Sequence, residues 1–139
     1  MICIGSFVGT CTTCHDGPEA GNHTVPAPLD IGLADASRRT ADLPLYTLRC
    51  NANGVTAGHC AAGQTRQTTD PGRALITGAW ADISKFKGPI LRGIAARAPY
   101  FHNGSAATIG DAVDFYDSRF NIGFTAQERT DLVNFLNAL

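Results

Sequence analysis

The 139 residues carry 11 Lys and Arg against 12 Asp and Glu, and 44% are hydrophobic, so the chain reads as one near-neutral folded domain rather than a disordered segment. Its few positive charges are scattered, which gives no electrostatic footprint for nucleic acid, and no apolar run approaches the roughly 18 residues of a bilayer span. Fifteen glycines and seven prolines exceed the usual share and predict a loop-rich fold.

Residues 1–10 allow two helical turns or an extended lead-in, and they are too short and uncharged to be an export signal. The Gly-, Pro- and Asn-rich stretch from Asp16 to Ala27 reads as loop. Between Leu29 and Thr69 the one clear pattern is Leu43 to Leu48, a short strand, and Asn53-Gly54 beyond it reads as a hairpin tip. Asp70 as N-cap and Pro71 at the first helical position predict a short helix ending by Gly78. Phe86 to Arg92 is expected to be extended through Gly88-Pro89, Gly93 to Arg97 to make one helical turn, and Pro99 to close it. Thr108 with Asp111, and Thr125 with Glu128, repeat a capping-box pattern. Behind the first, Ile109, Ala112, Val113 and Tyr116 share a helical face; behind the second, Leu132, Val133, Phe135, Leu136 and Leu139 form an apolar stripe. A helical chain this small with long loops needs a further source of core.

Cys11-Thr-Thr-Cys14-His15 supplies that source. Two thiols three positions apart suit thioether bonds to both vinyl groups of one haem, and the adjacent imidazole suits the iron as proximal ligand. A thioredoxin-type pair would follow a strand in a βαβ unit, and a zinc site would need a second Cys/His pair at finger spacing; neither pattern is visible. The predicted cofactor is one haem c, bound through Cys11 and Cys14 with His15 on the iron. The predicted fold is mostly α, a single cytochrome c-like domain over residues 1–139 whose long loops wrap the macrocycle. Cys50 and Cys60 flank Asn53-Gly54 and read as a disulfide closing a loop insert over 50–60, with two free thiols as the alternative. A disulfide and covalent haem both point to the periplasm or another extracytoplasmic compartment. Cys3 keeps three readings: a small buried hydrophobe, an intermolecular link, or half of a pair whose partner lies upstream.

For the sixth position on the iron, Met1 is the sole methionine and stands at a chain end, which disfavours thioether ligation. The nitrogen candidates are His23, in the Gly/Asn/Pro loop, and His102; His59 reads as a solvated side chain of the 50–60 loop.

The segment FKGPILRGIAARAPYFHNGSAATIGDAVDFY closely resembles the second haem domain of bacterial di-haem cytochrome c peroxidases and of the related enzyme that matures methylamine dehydrogenase. Its signatures are Phe-Lys-x-Pro-x-Leu-Arg, then Ala-Pro-Tyr-Phe-His-Asn-Gly-Ser, then a helix. With the haem motif upstream, the resemblance covers nearly the whole chain apart from residues 1–10 and the 50–60 insert. It implies that the distal position lies on the helix after the Gly-Ser segment, here at Tyr116, with His102 and His23 as alternatives and core packing as the plain reading. Lys87, Arg92, Tyr100 and His102 become candidate partners of the haem propionates, and Trp80 a residue packing on the haem.

Members of that family carry two haems, and the resemblance implies that the matched domain is the electron-entry side. The short stretch before Cys11 then reads as part of a longer chain. The expected function is one-electron transfer through covalent haem, with other cytochromes or an oxidoreductase as redox partners. The rival readings are a peroxidase-like or oxidase-like site with an open distal face, and a haem module within a multi-cytochrome assembly.

Overall fold

A computed structural model describes Cys11, His15, Ala20 and residues 28–139. Cys3, Cys14, His23 and the loop expected over 16–27 therefore lie outside the described residues, Ala20 excepted. Two compact units are present: Met1–Pro26 together with Gly88–Leu139, and Ala27–Lys87.

The Ala27–Lys87 unit is built on a two-stranded antiparallel sheet, β1 (Tyr46–Arg49) with β2 (Thr65–Thr68), in register from Tyr46 opposite Thr68 to Arg49 opposite Thr65. The strand expected over 43–48 thus begins three residues later, beyond Pro44, whose nitrogen has no hydrogen to give a ladder. The expected turn at Asn53-Gly54 is replaced by a short helix, α1 (Ala52–Thr56), because the Asn51 side chain caps it by accepting from the Gly54 N–H at 2.8 Å. The Cys50–Cys60 disulfide is formed, with Cα atoms 6.0 Å apart. A Cβ at Gly54 would stand 2.8 Å from the Cys60 sulfur and 3.4 Å from that of Cys50, so only glycine lets this helix lie on the cystine.

The buried residues here include Leu33, Ala34, Ile83 and, less usually, Thr68, Thr69 and Ser84. Thr68 Oγ1 lies 2.8 Å from Ser84 Oγ and reaches the Ala34 and Asp70 carbonyls at 3.0 and 2.8 Å, so the polar atoms of this interior satisfy one another. The helix expected from Asp70 starts later, as α2 (Ala74–Thr77), and ends at Gly78 in the left-handed conformation. Asp70 does not cap it. Its carboxylate accepts from the Gly72 N–H two residues on, at 2.7 Å, an Asx turn that competes with the cap. Gly72 has φ +58, and a Cβ there would stand 2.6 Å from the Lys85 carbonyl oxygen, where the Arg73 N–H also donates at 3.0 Å.

In the other unit the two expected capping boxes are both made: Thr108 and Asp111 open α3 (Ile109–Phe120), Thr125 and Glu128 open α4 (Ala126–Asn137). Ile109 and Val113 of α3 meet Leu132 of α4 in a core completed by Tyr100 and Ala106, with Ala112, Val133 and Leu136 packed against it. Phe135 departs from the expected stripe and is 49% exposed. One 3-10 turn, Ile94–Ala96, precedes a cis Ala98–Pro99 bond, matching the single turn expected there. Among the described residues of this unit, the two long helices supply most of the regular structure and irregular chain makes up much of the remainder.

Arg129 grips Asp114 across α3 and α4, with Nε on one carboxylate oxygen and Nη2 on the other at 2.7 Å. Hydrogen bonding to Arg129 holds the Asp114 carboxyl below its ordinary range. A carboxyl lowered in the folded state stabilises above its unfolded pKa, and that contribution is lost as pH falls through the folded value. Urea midpoints followed from neutral pH into acid are therefore expected to drop less steeply for Asp114→Asn than for the parent. At Gly72, Ala brings both left-handed strain and collision with backbone, so Gly72→Ala is expected to lose about 2–4 kcal/mol, read from the urea midpoint.

Candidate haem site

The His15 N–H donates to the Cys11 carbonyl at 2.9 Å, the spacing of one helical turn, which sets Cys11 and His15 one above the other. Both are half-buried. Burial lowers the His15 pKa, and the adjacent Pro89 carbonyl opposes it more weakly, so the neutral imidazole is favoured. The Nδ1 atom is buried and has no hydrogen-bond partner among the described residues. A neutral imidazole, which burial favours here, is the state a metal-ligating histidine needs. The residues present fit a proximal iron ligand.

Pro89 is carried on an irregular stretch whose backbone groups find partners one by one. The Leu91 N–H donates to the Ala20 carbonyl at 3.0 Å. Arg97 donates through Nη2 to the Ile90 and Arg92 carbonyls at 2.7 and 2.5 Å, and through Nε to Gly93 at 3.3 Å. Tyr100 is buried and its hydroxyl donates to the Ile94 carbonyl at 3.1 Å, so its proton serves this loop. Arg97 was not among the expected site residues; its signal was a single charge inside the small apolar run Gly-Ile-Ala-Ala-Arg-Ala, with loop carbonyls on its N-terminal side.

After Tyr100 the chain turns back on itself, with Tyr100 and Ala106 exchanging backbone hydrogen bonds at 2.7 and 3.5 Å. His102 lies in the turn between them and is exposed. Phe101 sits at φ +66, an uncommon backbone for an aromatic residue. Its ring meets Phe115 with centroids 4.9 Å apart and Tyr116 at 6.0 Å. Tyr116, half-buried, also meets Phe115 at 5.4 Å and stacks on Phe120 at 6.0 Å. Tyr116 therefore belongs to an aromatic cluster on the flank of α3. Arg92 is exposed, in the loop tied by Arg97.

Trp80 and Lys87 belong to the Ala27–Lys87 unit. Trp80 starts a 3-10 turn and lines a cavity of about 210 Å³ with Leu75, Ile83, His59 and the Cys50–Cys60 cystine; Lys87 is exposed, as is His59.

A family model described as RoxA-like, cytochrome c-like matches residues 85–120. Over 140 aligned residues the chain is 31% identical to the cytochrome-c peroxidase IdrP1 of Pseudomonas sp. (strain SCT), covering 93% of this chain and 36% of that protein. These likenesses support a haem domain of the cytochrome c peroxidase family. The chain is also 32% identical over 143 residues to the cytochrome-c peroxidase IdrP2 of Denitromonas iodatirespirans, covering 94% of this chain and 36% of that one. With the cytochrome c551 peroxidase of Nitrosomonas europaea it shares 41% over 76 residues, 52% of this chain and 23% of the relative. The chain spans about a third of the length of the curated relatives it matches most fully. No solved structure matches it significantly. Among its described residues no helix is long and apolar enough to cross a membrane.

Proposed function

We propose that this domain binds a single haem c through thioether bonds to Cys11 and Cys14, with His15 as proximal ligand, and passes single electrons between redox proteins. The observation that carries the reading is the half-buried His15, one helical turn after Cys11, with a buried Nδ1 that has no partner among the described residues and a pKa lowered by burial. When bound, haem c supplies a one-electron ferric/ferrous couple. The chain's part is to hold the imidazole in one tautomer, to keep water from its Nδ1 side, and to fix the backbone that faces it.

Tyr116 is the proposed distal residue, with His102 and His23 as alternatives. Arg92, Lys87 and His102 are proposed propionate partners, Arg92 first because its planar fork suits a carboxylate. Tyr100 and Trp80 complete the proposed contacts. Other cytochromes or an oxidoreductase are the proposed partners, in the periplasm or another extracytoplasmic space. The relatives' names support a second reading, a peroxidase-like domain acting with further chain or an assembly of haem subunits.

Purified protein is expected to keep its haem through denaturing electrophoresis, and Cys11→Ala with Cys14→Ala to lose it; covalent haem on the double variant would refute the attachment. Tyr116→Phe keeps the ring contacts and removes only the hydroxyl, so a change in the ferric spectrum and potential is expected. An unchanged spectrum would assign Tyr116 to packing and turn attention to His102 and His23. A spectrum indifferent to peroxide and carbon monoxide is expected for electron transfer, whereas binding of either would favour the peroxidase-like reading.

A further inference from the structure

We propose that Asn103 is a site of spontaneous deamidation, its side-chain amide lost through attack by the Gly104 backbone nitrogen, while the fold protects the chemically equal pair Asn53-Gly54. The inference goes beyond the haem reading and does not depend on it. Of the asparagines, only Asn53 and Asn103 precede glycine, the neighbour that shields its backbone nitrogen least because it has no side chain. The two pairs have opposite surroundings.

Asn103 lies in the turn between Tyr100 and Ala106, half-buried, with Gly104 and Ser105 exposed. The Ser105 N–H donates to Asn103 Oδ1 at 3.1 Å, an Asx turn. Every atom of the succinimide to be closed, Cγ, Cβ, Cα and C of Asn103 with N of Gly104, lies within that hydrogen-bonded ring. The same bond sets an N–H on the oxygen that gains negative charge when Cγ is attacked, the part of an oxyanion donor. Gly104 has φ +68, and its N–H reaches the Phe101 carbonyl only at 3.3 Å, so the nucleophile is loosely held.

At the other pair the nucleophile is committed. The Gly54 N–H donates to Asn51 Oδ1 at 2.8 Å as the capping bond of α1, and the Asn53 carbonyl accepts from the Ala57 N–H at 2.9 Å. Gly54 also lies against the cystine, where a Cβ would stand 2.8 Å from the Cys60 sulfur. Ring closure at Asn53 must therefore wait for local unwinding of α1.

In the reaction the bond from Gly104 N to Asn103 Cγ forms, the Cγ–Nδ2 bond breaks, and ammonia leaves with the proton of the Gly104 nitrogen. Water then opens the ring. Opening at Cγ gives aspartate; opening at the main-chain carbonyl gives isoaspartate, whose backbone runs through Cβ and Cγ and is longer by one carbon. That carbon enters a turn whose ends, Tyr100 and Ala106, exchange hydrogen bonds, next but one to Phe101, whose ring meets Phe115 and Tyr116.

The test follows both pairs in the folded full chain held at mildly alkaline pH. Samples are digested with trypsin in mild acid, and the mass change from amide to acid is read in peptides 98–119 and 50–66. Asn103 is expected to convert at least tenfold faster than Asn53, with isoaspartate among the products. In urea with the disulfide reduced, the two rates are expected to converge to within threefold. Equal rates in the folded chain would overturn the proposal, and so would a gap that persists in urea, which would trace the difference to sequence rather than fold. The isoaspartate form, separated by ion exchange, is expected to exchange its Tyr100 amide at least tenfold faster than the parent. An unchanged Tyr100 amide would overturn the loosening of the turn.

Discussion

The constraint behind this structure is the need to satisfy backbone hydrogen-bonding groups along its irregular described segments. Irregular segments form much of both units, and side chains repeatedly take the place of a ladder. Arg97 covers three carbonyls, Tyr100 a fourth, and Thr68 two more from the interior of the other unit. These contacts are what make long loops precise. A loop held at several backbone points keeps one conformation without regular secondary structure.

The same constraint explains which elements were legible in the sequence. Both long helices were, because their signals are local: a capping residue, its partner three positions on, and an apolar face. Thr108, Asp111, Thr125 and Glu128 were read to the residue. The short elements were misplaced wherever a side chain had two local options. Asp70 has equal chemistry for capping a helix and for an Asx turn, and the pairing of Gly72 with Lys85 decided for the turn. Asn53-Gly54 has hairpin chemistry, but Asn51 and the cystine impose a helical turn instead.

For the site, the motif Cys11 to His15 carried the cofactor chemistry openly, since thiol spacing and an adjacent imidazole are sequence properties. The supporting shell was harder to read. The role of Arg97 depends on where three carbonyls fall, which no local pattern shows. Tyr100 illustrates the difference: an aromatic residue with a hydroxyl invites a ligand-facing role, whereas its hydroxyl is directed at Ile94. Tyr116 falls between the cases, its helical face foreseen and its membership of the Phe101, Phe115 and Phe120 cluster a tertiary outcome.

The close approach of Gly54 to both sulfurs of the Cys50–Cys60 bridge ties the choice of residue at three positions together. While the cystine stands, a side chain at 54 has nowhere to go, and a substitution there acts on the covalent link rather than on the helix. The three positions are therefore coupled sterically, although only two of them share a bond.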